Sequence, residues 1–153
     1  MMSDRHCLIC ARQRSGPDGG PAVVCQDDHW LARHSAETDI LGYLLLESRR
    51  HFLDLSQATE AELAGYGTLL SRLMRAMRAV TGCQRIYTVT LGEAVPHYHV
   101  HLIPRTESLP GAYRGRGILS YPLAPAADAG LVEETCLRLR RALRRQASTL
   151  SPP

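Results

Sequence analysis

The chain has 153 residues, 44% of them hydrophobic and 22% charged, which is an ordinary composition for a globular protein with a buried core. Its net charge of +3 does not by itself indicate a nucleic-acid-binding protein, although it mildly favours anions such as nucleotides. The sequence contains no run of about 18 apolar residues that would predict a membrane span, and its start, MMSDRHC, lacks the apolar run of a secretory signal. We therefore expect one domain over residues 1–153, located in the cytoplasm.

The first motif is a C-x-x-C pair, Cys7 and Cys10, in the segment CLIC. In a reducing cytosol this pair predicts half of a metal site, and a redox motif is the second interpretation. A Gly/Pro-rich loop is expected to follow over residues 11–21. The remaining cysteines stand alone, and we interpret them as small buried hydrophobic residues (Cys25, Cys83 and Cys136).

The next two segments predict three strands. Residues 22–34, AVVCQDDHWLARH, indicate two short strands around a turn at residues 26–28. Residues 42–48, GYLLLES, indicate a third strand, and its nearly continuous apolar run is typical of the centre of a sheet.

A long amphipathic helix is predicted after these strands. Thr59 and Glu62 have the T-x-x-E spacing of a capping box at a helix start. Apolar residues then recur at three- and four-residue steps as far as Val80, and Gly82 marks the end.

The last elements are a hairpin, a short extended piece and a second helix. Residues 84–91 and 97–103 predict two strands joined by the turn GEAVP, and residues 117–123 predict one more extended segment. Residues 128–146 predict a helix whose arginines lie late, on what we interpret as a solvated face. The resulting order, β-β-β-α-β-β-α, favours an α+β fold with an antiparallel sheet.

Three histidines alternate in the segment HYHVHLI, at positions 97, 99 and 101. On a strand they would project from one face, about 7 Å from one to the next. A polar strand face in water is one interpretation, and a three-histidine metal site is a second, although this spacing suits one ion poorly. The third is phosphoryl transfer, in which one neutral imidazole attacks phosphorus and a neighbouring ring donates a hydrogen bond to the phosphoryl oxygens.

The pattern H-φ-H-φ-H-φ-φ, with φ an apolar residue, is the signature of the histidine triad superfamily, and HYHVHLI resembles it at all seven positions. Residues 22–34 and 42–51 resemble the first hairpin of that family and the strand that ends in a basic pair and a histidine. The resemblance covers about residues 5–106 and leaves residues 107–153 as a less similar C-terminal extension. It implies a five-stranded antiparallel sheet with a long helix, usually paired in a homodimer.

The resemblance also implies an activity, nucleotidyl transfer or hydrolysis at the α-phosphate of a nucleotide. In that scheme His99 is the nucleophile and forms a nucleotidyl-histidine intermediate. His101 would contact the phosphate and the leaving group, and the chemistry itself needs no metal.

Part of the family carries a structural zinc ion, and its four ligand positions are all matched here. They are the C-x-x-C pair, the histidine after the basic pair and the first histidine of the triad, which correspond to Cys7, Cys10, His51 and His97. Two thiolates and two imidazoles form an ordinary closed tetrahedral site. The alternative for Cys7 and Cys10 is a pair of free thiols.

Two positions depart from the family pattern. Ser35 stands where relatives often have an acidic residue that holds the ribose hydroxyls, with Glu37 close behind. The turn before the triad is short and contains Glu93, which would repel a phosphate unless an arginine intervenes. Arg105, Arg114 and Arg116 are candidates for that arginine by proximity in sequence, and we interpret Arg114 and Arg116 as surface residues. We predict substrate binding by His101, Ser35, Glu93 and Arg105.

Three hypotheses follow for the function. The first is a nucleotide hydrolase or transferase acting on dinucleoside polyphosphates, nucleoside phosphoramidates or acyl- and sulfo-nucleotides through His99. The second is a nucleotide-binding module that has lost efficient turnover, which the departures at Ser35 and Glu93 favour. The third is a zinc-stapled nucleic-acid module, which the wide ligand spacing and the 5% aromatic content disfavour.

Overall fold

The computed structural model describes residues 4–15, 20–125 and 127–149. Five strands and three α-helices make up most of this part of the chain. The strands are β1 (Val23–Gln26), β2 (Trp30–His34), β3 (Leu44–Ser48), β4 (Arg85–Val89) and β5 (His99–Arg105). The helices are α1 (Leu8–Arg14), α2 (Glu60–Thr81) and α3 (Ala129–Thr149). Short 3-10 helices occupy Asp4–His6, Leu55–Gln57, Gly111–Tyr113 and Gly115–Ser120.

The strands form one antiparallel sheet in the order β1-β2-β3-β5-β4. The predicted α+β class with a five-stranded antiparallel sheet is therefore confirmed. The apolar strand β3 lies at the centre, as its composition predicts, and its Leu44 and Leu46 are fully buried. In the β3–β5 register, Leu45 lies opposite His101 and Glu47 opposite His99.

The boundaries of α2 are those that the sequence predicts. The Thr59 hydroxyl accepts a hydrogen bond from the Glu62 amide, and the Glu62 carboxylate accepts one from the Thr59 amide. Such a cap contributes about 1 kcal/mol. The helix ends at Gly82, whose φ of +67° is the left-handed conformation that favours glycine.

The main core lies between one face of the sheet and the helices α2 and α3. Its buried members come from the strands and from both helices (Trp30, Leu46, Val100, Leu102, Leu73, Met77, Cys136 and Leu139). Because side chains alternate along a strand, Val100 and Leu102 enter this core while His99 and His101 lie on the opposite face. Within the described residues, no helix combines the length and the apolar character needed to cross a membrane.

Two segments differ from the prediction. The first part of the expected loop over residues 11–21 is helical, because α1, with Cys7 as its N-cap, extends from Leu8 to Arg14. The segment 117–123, expected to be extended, enters the 3-10 helix Gly115–Ser120 instead. The reason is packing, since Ile118 is buried with Ile103 and Leu109 in a second cluster and needs no strand partner.

The strand β5 also starts later than predicted. The Tyr98 amide donates to the carbonyl of Phe52, and the His97 amide donates to the carbonyl of Val95, so neither takes part in the ladder with β3. His97 therefore lies just before the strand, and only His99 and His101 share the strand face that the alternation predicts.

Candidate active site and metal centre

Four side chains with metal-ligating atoms converge where α1, the segment after β3 and the start of β5 meet. They are Cys7, Cys10, His51 and His97, and their ligand atoms all lie within 4.8 Å of one another. The Nδ1 atom of His97 lies 3.3 Å from the Cys7 sulfur and 3.4 Å from the Cys10 sulfur. The Nδ1 atom of His51 lies 3.5 Å from the Cys10 sulfur. The sequence-predicted ligand set is thus assembled in one place.

The spacing of these atoms fits a tetrahedral metal ion. With metal–sulfur bonds of about 2.3 Å and metal–nitrogen bonds of about 2.0 Å, sulfur and nitrogen ligands lie about 3.5 Å apart. Nε2 of His97 donates to the carbonyl oxygen of Ser48 at 2.8 Å, which leaves Nδ1 as the ligand atom. The two sulfurs and His97 are buried and His51 is half-buried, so the four residues could hold a metal ion in a closed site.

His99 stands outside this cluster and has a defined tautomer. Its Nδ1 lies 2.7 Å from the backbone carbonyl oxygen of His97. A carbonyl can only accept, so Nδ1 carries the proton and Nε2 of the neutral ring keeps its lone pair. The side chain is half-buried. This arrangement is what a nucleophilic imidazole requires.

His101 is the neighbour of His99 on the same strand face, with 5.0 Å between the ring centroids. Burial, together with the nearby His99, lowers the pKa of His101 to about 4, so the ring is uncharged at neutral pH. Its Nδ1 lies 2.8 Å from the Tyr43 hydroxyl. Burial and the carboxylate of Glu37 raise the pKa of Tyr43 to about 12, so the phenol also stays neutral.

A cavity of about 240 Å³ opens beside His101. Its lining includes the polar side chains of Ser35, Glu37 and Thr38 and the phenol of Tyr43. The remaining wall is largely apolar (Val89, Leu91, Ile103, Ile118, Leu119, Tyr121, Pro122 and Leu123). The structure therefore brings Ser35 and His101 to one cavity, and it adds Tyr43 and the segment after β5, which sequence reasoning missed. No motif marks these residues, because they are assembled by packing from distant segments.

Two predicted substrate-binding residues are not at this cavity. Glu93 is exposed in the connection between β4 and β5 and does not line the cavity. Arg105 lies four residues beyond His101 on β5, about 13 Å along the strand, and its guanidinium donates to the Gln84 amide oxygen at 3.1 Å. The prediction of Arg105 rested on proximity in sequence, and along a strand each step of two residues moves the side chain by about 7 Å.

A buried carboxylate lies beside His99. Glu47 is directly opposite His99 in the register of β3 and β5 and is completely buried. Its carboxylate accepts hydrogen bonds from Arg12 and Gln13 of α1, and Nε of Arg33 lies 4.0 Å from it. The signal that could have found it is a single acidic residue in an otherwise apolar central strand.

Comparison with known proteins places these features in a family. A family model described as the HIT domain matches residues 20–108. A Zn-bound histidine triad family protein from Mycobacterium smegmatis superposes with a TM-score of 0.70 at 23% identity, covering 96% of this chain and 99% of that one. A histidine triad protein from Bradyrhizobium japonicum gives a TM-score of 0.66 at 26% identity, covering 79% and 89%.

A third similar structure is the diadenosine triphosphate hydrolase of Plasmodium falciparum in complex with cyclomarin A. It has a TM-score of 0.60 at 14% identity, and the match covers 82% of this chain and 78% of that one. No curated protein matches the chain in sequence. The sheet and the alternating histidines define a protein of the histidine triad class. With the family model matching more than half of its length, the chain belongs to the HIT family.

Proposed function

We propose that this HIT protein is a nucleotide hydrolase or nucleotidyl transferase that attacks the α-phosphate of its substrate through His99. The observation that carries the proposal is the hydrogen bond from Nδ1 of His99 to the His97 carbonyl oxygen at 2.7 Å. In the neutral ring this bond leaves the lone pair on Nε2, and His101, whose ring centroid is 5.0 Å away, lines a cavity of about 240 Å³.

The reaction proceeds in two displacements. Nε2 of His99 attacks the α-phosphorus, forming an N–P bond as the bond from phosphorus to the leaving group breaks. Water or another acceptor then attacks the same phosphorus, the N–P bond breaks, and the neutral ring is restored. In hydrolysis the attacking water ends as a hydroxyl of the nucleotide product and releases one proton to the solvent.

His101 serves as a hydrogen-bond donor in this scheme. If the Tyr43 hydroxyl donates to Nδ1 of His101, the proton of that ring lies on Nε2 and faces the phosphoryl oxygens. A ring whose pKa is about 4 stays neutral at pH 7, so it stabilises developing charge by a hydrogen bond rather than by giving up a proton.

The cavity beside His101 accepts the nucleoside. Its apolar lining suits a base, and its polar lining residues Ser35, Glu37 and Thr38 suit the ribose hydroxyls. The family resemblance leads us to expect an acidic residue at position 35, where this chain has Ser35. Glu37, two residues later, supplies the carboxylate instead. A carboxylate accepts a stronger hydrogen bond from a hydroxyl than a serine does.

We further propose that Cys7, Cys10, His51 and His97 hold a structural Zn²⁺, because their donor set is the one that zinc prefers. When bound, the ion cross-links α1, the segment after β3 and the start of β5, and it takes no part in the chemistry. The Zn-bound state of the similar protein from M. smegmatis supports this assignment. We place the protein in the cytoplasm, where reducing conditions keep both thiols available, and we expect a homodimer.

The variant His99→Ala tests the proposed activity. We expect loss of turnover by at least about a thousandfold, with an unchanged melting temperature and an unchanged metal content. Mass spectrometry of the wild-type protein mixed with candidate nucleotides should show a nucleotidyl adduct on His99. Substantial turnover by the variant would refute the mechanism, and thermal stabilisation by nucleotides without product would instead assign a binding module.

A further inference from the structure

On the sheet face that carries His99, two different regions lie next to this residue. On the side of His101 lies the cavity with an apolar wall, and on the other side lie α1 and the charged residues around Glu47. Glu47 is the cross-strand neighbour of His99, and directly opposite residues have their Cβ atoms about 5 Å apart on the same face. The groups bound to Glu47 are therefore within reach of a substrate attached at His99.

In the charged cluster around Glu47, the carboxylate is buried and the arginines are more exposed. The side chain of Glu47 is 0% exposed, that of Arg33 is 9% exposed and that of Arg12 is 40% exposed. Arg12 is the more exposed of the two guanidinium groups, and the carboxylate has no exposed surface. Arg12 is therefore the group of this pair that an anion in the solvent can contact.

Arg12 also retains donors for a ligand. Within the described residues its guanidinium makes one hydrogen bond, from Nη2 to Glu47, and its Nε is buried without a partner, so the donors left for a ligand are the remaining N–H groups of the two Nη atoms. A guanidinium has five N–H donors in a planar fork that matches phosphate oxygens. The contact with Glu47 fixes the direction of the side chain while leaving most of these donors available.

From this arrangement we infer that Arg12, positioned by Glu47, binds the phosphate groups of an anionic leaving group. The inference rests on the proposed function and narrows its substrate class to nucleotides whose leaving group is itself a phosphate, polyphosphate or nucleotide. Phosphoramidates, whose leaving group is an amine, are then poorer substrates. The side-chain amide of Gln13, which donates to Glu47 at 3.1 Å, completes the support of the carboxylate.

The chemistry of the departing group supports this choice. When the bond between the α-phosphorus and a bridging oxygen breaks, the electron pair stays on that oxygen and the leaving group departs as an oxyanion without taking a proton. A fixed guanidinium stabilises that growing negative charge. A departing amine must instead acquire a proton, and a neighbouring positive charge gives it no help.

The first test compares two substrates of one nucleoside, a dinucleoside tetraphosphate and the 5′-phosphoramidate. For Arg12→Gln we expect kcat/KM on the tetraphosphate to fall about tenfold or more, the size of a lost charge-assisted hydrogen bond, with a much smaller change on the phosphoramidate. Arg141→Gln is the matched control, because Arg141 is exposed on α3, a helix that covers the other sheet face. An equal fall on both substrates would overturn the inference and leave Arg12 a structural role.

The second test needs neither turnover nor a variant. Inorganic triphosphate should protect Arg12 of the wild-type protein from modification by phenylglyoxal, as mapped by peptide mass spectrometry, while Arg141 is modified at the same rate with or without triphosphate. Equal modification of Arg12 in both conditions contradicts the inference even if Arg12→Gln fails to fold. Absence of turnover on every substrate, together with protection of Arg12, would refute the proposed catalysis but retain the anion site.

Discussion

At the scale of single residues, the hydroxyl of Tyr43 fixes the ring of His101. The two groups are 2.8 Å apart, and their ring planes are nearly perpendicular. Both are uncharged at neutral pH, since burial lowers the pKa of one and raises that of the other. We propose that the Tyr43 hydroxyl donates to Nδ1, so that Tyr43 acts as a positioning residue that places the proton of His101 on Nε2.

The variant Tyr43→Phe should therefore lower kcat by about tenfold, the typical cost of one such hydrogen bond, while the melting temperature changes little. The nitrogen chemical shifts of His101 should move towards a mixture of tautomers, a change that a purely structural role would not produce. Tyr113→Phe is the control, because Tyr113 is half-buried nearby but does not line the cavity. Full activity with an altered tautomer would mean that the tautomer of His101 is irrelevant to catalysis.

A second residue-scale prediction concerns His34, which is 2% exposed. Its Nδ1 donates to the carbonyl of Ser35 at 2.8 Å, and its Nε2 accepts from the Gly42 amide at 2.9 Å. Burial lowers its pKa, so the folded state favours the neutral ring and the unfolded state binds the proton first. The contribution of His34 to stability is present above the unfolded pKa of about 6.5 and is lost as pH falls through the folded pKa.

Urea denaturation measured between pH 7.5 and pH 5 checks this expectation. The free energy of unfolding should fall with pH in the wild type, and His34→Gln should remove part of that slope. His6→Gln, a change at an exposed histidine, should leave the slope as it is. An unchanged slope in His34→Gln would show that other groups, such as the metal ligands, cause all of the acid sensitivity.

At the scale of elements, α1 depends on the four-residue cluster for its position. It has seven residues, too short to be stable alone, and among its residues only Ile9 and Cys10 are buried. Removing the proposed Zn²⁺ should therefore release α1 and, with it, Arg12 and Gln13 from Glu47.

The variant Cys10→Ser should lower the metal content and the melting temperature, the latter by about 5 °C or more, since 1 kcal/mol corresponds to about 2–4 °C in a domain of this size. Hydrogen exchange should increase in α1 and stay slow in the middle of α2. Cys25→Ser is the matched control, because Cys25 is half-buried and lies outside the cluster. A variant that keeps its metal and its melting temperature would show that Cys10 is not a ligand.

The elements also show which parts of the structure the sequence could predict. The long helix was predictable because its cap, its apolar spacing and Gly82 are all local signals. The 3-10 helix at Gly115–Ser120 was not, since its cause is the burial of Ile118 against distant residues. The family resemblance was enough to name the four residues of the cluster that could hold a metal. Glu47 and Tyr43 became visible only through strand register and packing.

At the scale of the whole molecule, the sheet separates the main core from the candidate site. One face packs against α2 and α3, and the other carries the histidines, the charged cluster and the cavity. The C-terminal third contributes to both, because α3 completes the core and the 3-10 segment before it forms part of the cavity wall. We therefore propose that residues 107–149 belong to the same cooperative unit as the segment matched by the HIT model.

The variant Leu139→Ala tests whether residues 107–149 unfold together with the rest of the domain. Leu139 is 0% exposed in the main core, so its truncation should cost about 2–5 kcal/mol. If the chain unfolds as one unit, fluorescence of Trp30 in β2 and far-ultraviolet circular dichroism should report the same lowered midpoint. Leu137→Ala, at a partly exposed position of the same helix, should cost less than about 1 kcal/mol. If the Leu139→Ala protein loses α3 first while Trp30 keeps its wild-type midpoint, the C-terminal segment is an independent addition rather than part of the domain.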